Sequence, residues 1–248
     1  MREAIHASGG WLPFDRFMAL VLYEPGLGYY ANQTPKFGQL PQGQGGQGSD
    51  FVTAPELTPL FGHTLARQLA QALEATGTDE IWEFGAGTGA LALQVLDALV
   101  SLGHPPRRYT IVDLSGSLRE RQRATLTPHA GRVHWADRLP EAFEGVLLGN
   151  EVLDAMPVQL LRRAGGQANG VWLERGVVVT PEGTLTWADR CTAQRPPVEI
   201  EGPHDYLTEI HPQAEAFVRT LAERWRRGAG FFIDYGFPEA EYYHPQRH

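Results

Sequence analysis

Residues Ile81–Gly89 read IWEFGAGTG, and this stretch constrains the fold more than any other. A short apolar run ends in an acid, Glu83, and glycines follow at alternate positions, Gly85, Gly87 and Gly89. From Ala90 to Val100 the apolar residues recur at the spacing of an amphipathic helix. The pattern predicts a strand, a tight glycine turn and a helix start. Backbone without Cβ turns sharply and comes close to a ligand, and a helix N-terminus offers unpaired N–H groups. Turns of this kind serve several nucleotide-like cofactors, so the turn alone names none, and a purely structural turn is the alternative. The spacing is not the dinucleotide fingerprint G-x-G-x-x-G, which makes a dehydrogenase the least favoured reading.

Around this turn the chain alternates strands and helices. Tyr109–Asp113 (YTIVD) predicts a second strand and Ser115–Leu126 a second helix, with Ser115 as its N-cap. Arg132–Trp135 predicts a third strand, Gly145–Gly149 a fourth and Gly230–Tyr235 a last one, preceded by a helix over Gln213–Arg227. Such alternation implies an α/β fold, with a mostly parallel sheet and helices on both faces. Its ligand is expected beyond the carboxyl ends of the strands.

Upstream, residues 1–76 read as an N-terminal helical segment, with helices over Leu12–Tyr23 and Leu57–Thr76. The Gly/Gln-rich stretch 38–49 reads as a flexible loop between them. Residues 77–248 form the expected core. Within it, 157–190 has the texture of an antiparallel β insertion, with turns expected at Gly165-Gly166, Gly176 and Glu182-Gly183.

At 248 residues the chain can bury a substantial core. A net charge of −8 argues against a broad nucleic-acid footprint and suits a basic protein segment better. One cysteine, Cys191, excludes an intramolecular disulfide framework and Cys-cluster metal sites. The nine histidines lack ligand spacing, so no metal is expected. No apolar run approaches membrane-spanning length and no signal-peptide core opens the chain. Lys36 is the only lysine, a bias of GC-rich bacterial coding, and a bacterial cytoplasmic location is expected.

Several polar residues fall at the expected strand ends. Asp113 lies 24 positions after Gly89, where an acid can accept hydrogen bonds from ribose hydroxyls or simply cap a helix. Asp137, in WADR, could approach an adenine edge or sit in an ordinary turn. The segment Asn150–Val158 (NEVLDAMPV) carries Glu151 and Asp154, whose spacing puts both on one face of a helical turn. Paired acids can clamp a guanidinium or act as general base, or Glu151 can cap a helix while Asp154 binds backbone. Asp50, Thr53 and Glu56 form a third polar group, and Tyr29 and Tyr30 could line an aromatic channel or pack in the core.

Taken in order, GLGYY, DFVTAPE followed by FG, EFGAGTG, NEVLDAMPV and FIDYG resemble the MidA-like family of class I S-adenosylmethionine (SAM) methyltransferases. That family is related to the mitochondrial complex I assembly factor that methylates an arginine. The resemblance runs from about Leu12 to His248 and implies a Rossmann-like sheet with SAM as cofactor. In the E-x-G-x-G-x-G motif, SAM binding would fall to Glu83, Gly85, Gly87 and Gly89, together with Asp113 and Asp137. The characteristic acids and amide would be Asp50, Glu56, Asn150, Glu151 and Asp154. Asp50, Tyr29 and Tyr30 would serve the substrate and the others the chemistry. The implied partner is a protein carrying an arginine, such as a respiratory-complex subunit. A SAM-binding assembly chaperone and a small-molecule N- or O-methyltransferase are the competing readings. Ser49 stands where the family usually has glycine before Asp-Phe. The chain stops at YYHPQRH where family members continue with further sheet and helix, so a C-terminally truncated piece is expected.

Overall fold

The computed structural model describes residues 1–30, 53–113, 116–165, 170–202 and 204–246. The loop 38–49, Asp50, the Ser115 cap and Gly166 lie outside the described residues. The chain forms two compact units. The first comprises Met1–Tyr29, Leu153–Val218 and Tyr235–His248; the second comprises Tyr30–Val152 and Arg219–Asp234.

The elements begin with α1 (Arg2–Ala7), β1 (Leu12–Pro13), α2 (Phe14–Tyr23), α3 (Ala54–Leu57) and α4 (Leu60–Thr76). Next come β2 (Glu80–Phe84), α5 (Ala90–Ser101), β3 (Arg108–Val112), α6 (Gly116–Thr125), a 3-10 turn at Thr127–His129 and β4 (Val133–Ala136). They are followed by β5 (Phe143–Glu144), β6 (Val146–Asn150), β7 (Gln159–Arg163), β8 (Trp172–Val179) and β9 (Leu185–Cys191). The last are β10 (Tyr206–Ile210), α7 (Pro212–Arg224), β11 (Trp225–Arg227), β12 (Gly230–Ile233) and α8 (Glu239–Tyr242).

The second unit is built on a parallel sheet of order β12-β6-β2-β3-β4. Its central strands are buried on both faces, which is why β2 and β6 read as near-continuous apolar runs. On one face Ile81, Ile111 and Leu148 pack with Leu69 and Leu73 of α4 and Leu96 and Leu99 of α5. Each such buried side chain contributes about 1.5–3 kcal/mol. The opposite strand positions carry Trp82 and Phe84, in ring contact with Phe143 and Phe232. The strand order reverses at β2, whose neighbours are β3 on one side and β6 on the other. This is the expected α/β sheet, and its switch point lies at the glycine turn.

Trp225–Arg227 departs from the helix expected there. It leaves α7 and pairs in parallel with β5, with the Trp225 indole donating to Gly145 O at 2.9 Å. The helix expected over Leu57–Thr76 is interrupted at Thr58-Pro59, leaving α3 and α4 as separate pieces.

The first unit carries an antiparallel sheet of order β1-β8-β7-β10, with β9 on the other side of β8. The antiparallel texture after Pro157 is thus β7, β8 and β9. Gly176 is not a turn. It lies inside β8 opposite Pro13 and Ala188, where a Cβ would press on the Leu12 carbonyl and the Trp11 ring edge at 2.5 Å. The glycine admits the Trp11 indole, which donates to Ala188 O at 2.8 Å. Gly176→Ala is therefore expected to lower stability by about 1–3 kcal/mol, read as an earlier urea midpoint. An unchanged midpoint would mean that Trp11 moves aside without cost.

Candidate functional site

The glycine turn joins β2 to α5 with all three glycines at positive φ: Gly85 at 64°, Gly87 at 54° and Gly89 at 86°. L-residues rarely hold that backbone. Gly89 caps α5 in the left-handed conformation. Among the described residues, a Cβ on Gly87 would meet nothing within 4 Å, so the turn is open to them there, whereas one on Gly85 would touch Val152 at 3.2 Å. The segment leaving β6 therefore lies against the start of the turn.

Glu83 lies in the strand below the turn at 1% exposure, where the Tyr109 hydroxyl donates to its Oε2 at 2.8 Å. Burial, countered by that bond and reinforced by the charge of Asp113, pushes the Glu83 carboxyl up to about 8. Burial also pushes the Tyr109 phenol well above its usual 10. The neutral Glu83 carboxyl favours the folded state fully below about 4.5, and that contribution is lost as pH rises through about 8. Thermal melts from pH 5 to 9 should show the wild type losing stability relative to Glu83→Gln, whose neutral amide has no proton to lose. The expected difference is a few kcal/mol; parallel curves would contradict the buried neutral acid.

Asp113 follows β3 and is held by a residue that motif reading missed. Gln122 of α6, at 0% exposure, donates from Nε2 to Gly87 O at 3.0 Å and to Asp113 Oδ2 at 2.8 Å. Its Oε1 accepts from the Trp135 indole at 2.9 Å. One amide thus ties the glycine turn, the acid after β3 and the end of β4 together. A signal for it existed in the sequence. Leu118, Gln122 and Leu126 recur every four positions, which puts an amide in a row that a helix normally fills with apolar residues. Arg119 donates to Asp113 O at 2.6 Å and to the carboxylate of Asp137, whose side chain is 76% exposed.

Glu56 sits in α3 rather than opening a long helix, and its carboxylate accepts from Thr88 Oγ1 in the glycine turn. Gln94 of α5 fastens the same segment, donating to Pro55 O at 2.7 Å and accepting from Gly62 N at 3.2 Å. Thr88 and Gln94 were not singled out in the sequence, because each acts through a partner more than thirty residues away.

Asn150 ends β6, and its amide donates to Glu151 Oε1 at 3.4 Å. Glu151 has φ of 52°, the one positive value at a non-glycine among the described residues. Its N–H extends the ladder to Ile233 O at 2.8 Å. No helix runs through residues 151–156, so the helical-face argument for Glu151 and Asp154 does not apply. A left-handed glutamate carries about 1–3 kcal/mol of backbone strain of the kind found at functional positions. The second unit thus brings Glu56, Glu83, Gly85, Gly87, Gly89, Asp113, Asp137, Asn150 and Glu151 to the carboxyl-end side of one sheet.

Tyr29 and Asp154 belong to the first unit. Tyr29 N–H bonds to Val21 O at 2.7 Å. Asp154 lies in a turn held by Tyr23 Oη on Ala155 O at 2.6 Å and by His211 Nε2 on Leu153 O at 2.9 Å. Tyr30, half-buried, begins the second unit. Asp50 is outside the described residues.

A cleft of about 540 Å³ opens at the opposite, amino ends of β2 and β3, lined by Asp79, Glu80, Trp82, Arg107 and Phe143 among others. Its acids are paired, Asp79 with Arg107 at 3.0 Å, Glu80 also with Arg107, and Glu144 with Arg227 at 2.7 Å. The carboxyl ends are where sheets of this kind bind ligands. Among the described residues no helix is long and apolar enough to cross a membrane.

The chain resembles known proteins over nearly its whole length. A COG1565 superfamily member from Burkholderia thailandensis, crystallised with S-adenosyl-homocysteine, is 52% identical with a TM-score of 0.90, over 99% of this chain and 64% of that one. A native crystal structure of a COG1565 superfamily protein from the same organism is 49% identical with a TM-score of 0.83, over 99% of this chain and 62% of that one. The Caenorhabditis elegans mitochondrial protein arginine methyltransferase NDUFAF7 homolog is 26% identical over 94% of this chain and 60% of its own length. The chain therefore spans about three fifths of the relatives it matches. The model of a family described as "Putative S-adenosyl-L-methionine-dependent methyltransferase" matches residues 64–248, three quarters of the chain. By that match, the chain belongs to this family of S-adenosyl-L-methionine-dependent methyltransferases.

Proposed function

We propose that this chain binds SAM at the glycine turn and transfers its methyl group to an arginine side chain of a protein. The observation that carries the reading is the open, positive-φ turn at Gly87 tied through Gln122 to Asp113. A Cβ would fill that cradle, and an acid stands beyond the next strand, as a ribose-bearing ligand requires. The residues fit the cofactor. Gly85, Gly87 and Gly89 bring backbone against it, and the N-terminus of α5 favours its carboxylate. Asp113 accepts from the ribose hydroxyls, and Asp137 stands toward the adenine. Glu83 acts from beneath the turn as a buried support.

When bound, the cofactor supplies an electrophilic methyl on a sulfonium. The remaining work falls to the chain. An arginine guanidinium is protonated at neutral pH, with pKa above about 12. The Glu151 carboxylate orients it and takes the proton released as the N–CH3 bond forms and the S–CH3 bond breaks. Asn150 steadies that carboxylate, and Glu56 fastens α3 to the turn through Thr88. Tyr29, Tyr30 and Asp50 are assigned to the protein substrate, a tyrosine ring suiting the planar guanidinium, and Asp154 to the chemistry with Glu151. The acidic balance of −8 suits a basic segment as acceptor. The arginine assignment follows the C. elegans relative's name, and the family resemblance extends it to a respiratory-complex subunit in a bacterial cytoplasm.

The test is incubation with SAM carrying a deuterated methyl group and a bacterial protein extract, followed by peptide mass spectrometry. Label on arginine in one acceptor protein is expected. Label confined to other residue types or to small molecules would overturn the arginine assignment.

A further inference from the structure

We infer that Gln122 is a positioning residue for the cofactor's ribose, holding the Asp113 carboxylate and the Gly87 carbonyl in one fixed arrangement. The inference deepens the SAM reading and rests on it. Three observations carry it.

First, Gln122 is fully buried, and among the described residues the partners of its amide all lie outside its own helix. Both ends are spent on the site, with Nε2 on Gly87 O and Asp113 Oδ2 and Oε1 on the Trp135 indole. Secondly, the amide is oriented from outside. An indole N–H only donates, so Trp135 fixes Oε1 toward itself and Nε2 toward the turn and the acid. Thirdly, α6 is seated for this purpose. A Cβ on Gly89 would stand 3.5 Å from Gln122 Cα and 3.4 Å from Leu126 Cδ1, so the helix backbone rests on the turn itself. A carboxylate that accepts a hydrogen bond from a buried, oriented amide keeps one rotamer. It then meets a hydroxyl pair without first losing side-chain freedom.

The test is calorimetric titration of S-adenosylhomocysteine and of its 2′-deoxyribose analogue into wild type, Gln122→Met and Gln122→Leu. Neither replacement can donate to Asp113; methionine keeps the length of the glutamine side chain and leucine offers a second apolar shape at the buried position. Wild type is expected to prefer the full ribose by about 10–100-fold, the range for a hydrogen bond to a charged group. In both variants that preference should shrink to about threefold or less, with affinity for the full ribose falling more than affinity for the analogue. A residue serving only to hold the fold would weaken both ligands equally and leave the preference intact, which would overturn the inference while leaving the SAM reading in place. A wild type that binds without preference also overturns it. A folded wild type that binds neither ligand overturns the inference and the SAM reading together.

Discussion

Gly87→Val is expected to weaken binding of S-adenosylhomocysteine by at least about 100-fold, close to 3 kcal/mol, while the chain stays folded. Gly87 holds φ of 54° with open space where its Cβ would stand. A Cβ there meets no atom of the described residues within 4 Å, and the left-handed backbone costs the fold about 1–3 kcal/mol. The added methyl groups occupy the space that a ligand needs. Gly103 supplies a matched control at the far end of α5, with φ of 77° and no atom of the described residues within 4 Å of the position a Cβ would take. Gly103→Val carries similar strain and should leave affinity unchanged. Equal loss in both variants would attribute the effect to helix stability and not to the turn.

The second large effect is expected at Glu151. Glu151→Gln keeps size and shape, so affinity for S-adenosylhomocysteine should stay within about threefold. Methyl transfer should fall by about 100- to 10,000-fold, the scale of a lost acid–base group. The assay is label transfer from SAM to the acceptor protein under single-turnover conditions, which separates the chemical step from product release. Unchanged turnover would remove Glu151 from the mechanism. Glu151→Gly adds an independent readout. It should raise the melting temperature while abolishing turnover, because glycine relieves the positive φ of 52° that glutamate carries.

The parallel sheet was legible because its information is local. IWEF, YTIV and VLLG are buried on both faces and read as apolar runs, and the glycines between Phe84 and Ala90 can only turn. The carboxyl-end residues followed from that order. What was illegible depended on distant partners. Trp225 fits the helical row of Phe217 and Leu221, yet β5 captures it as a strand more than eighty residues away in sequence. Gly176 looks like a turn until the Trp11 ring is placed over it. Glu151 and Asp154 look like one helical face until the backbone at Glu151 enters the left-handed region. Gln122 was hidden differently. Its position in the buried row of α6 was readable, but a lone glutamine on a charged helix says nothing of the indole and carboxylate it meets.

The most direct test of the account is a crystal structure of this chain with S-adenosylhomocysteine. The adenosine is predicted beyond the carboxyl ends of β2 and β3, with backbone of Gly85–Gly89 against the ligand and the ribose hydroxyls on Asp113. Density in the 540 Å³ cleft at the opposite ends of those strands, with the glycine turn left bare, would contradict it.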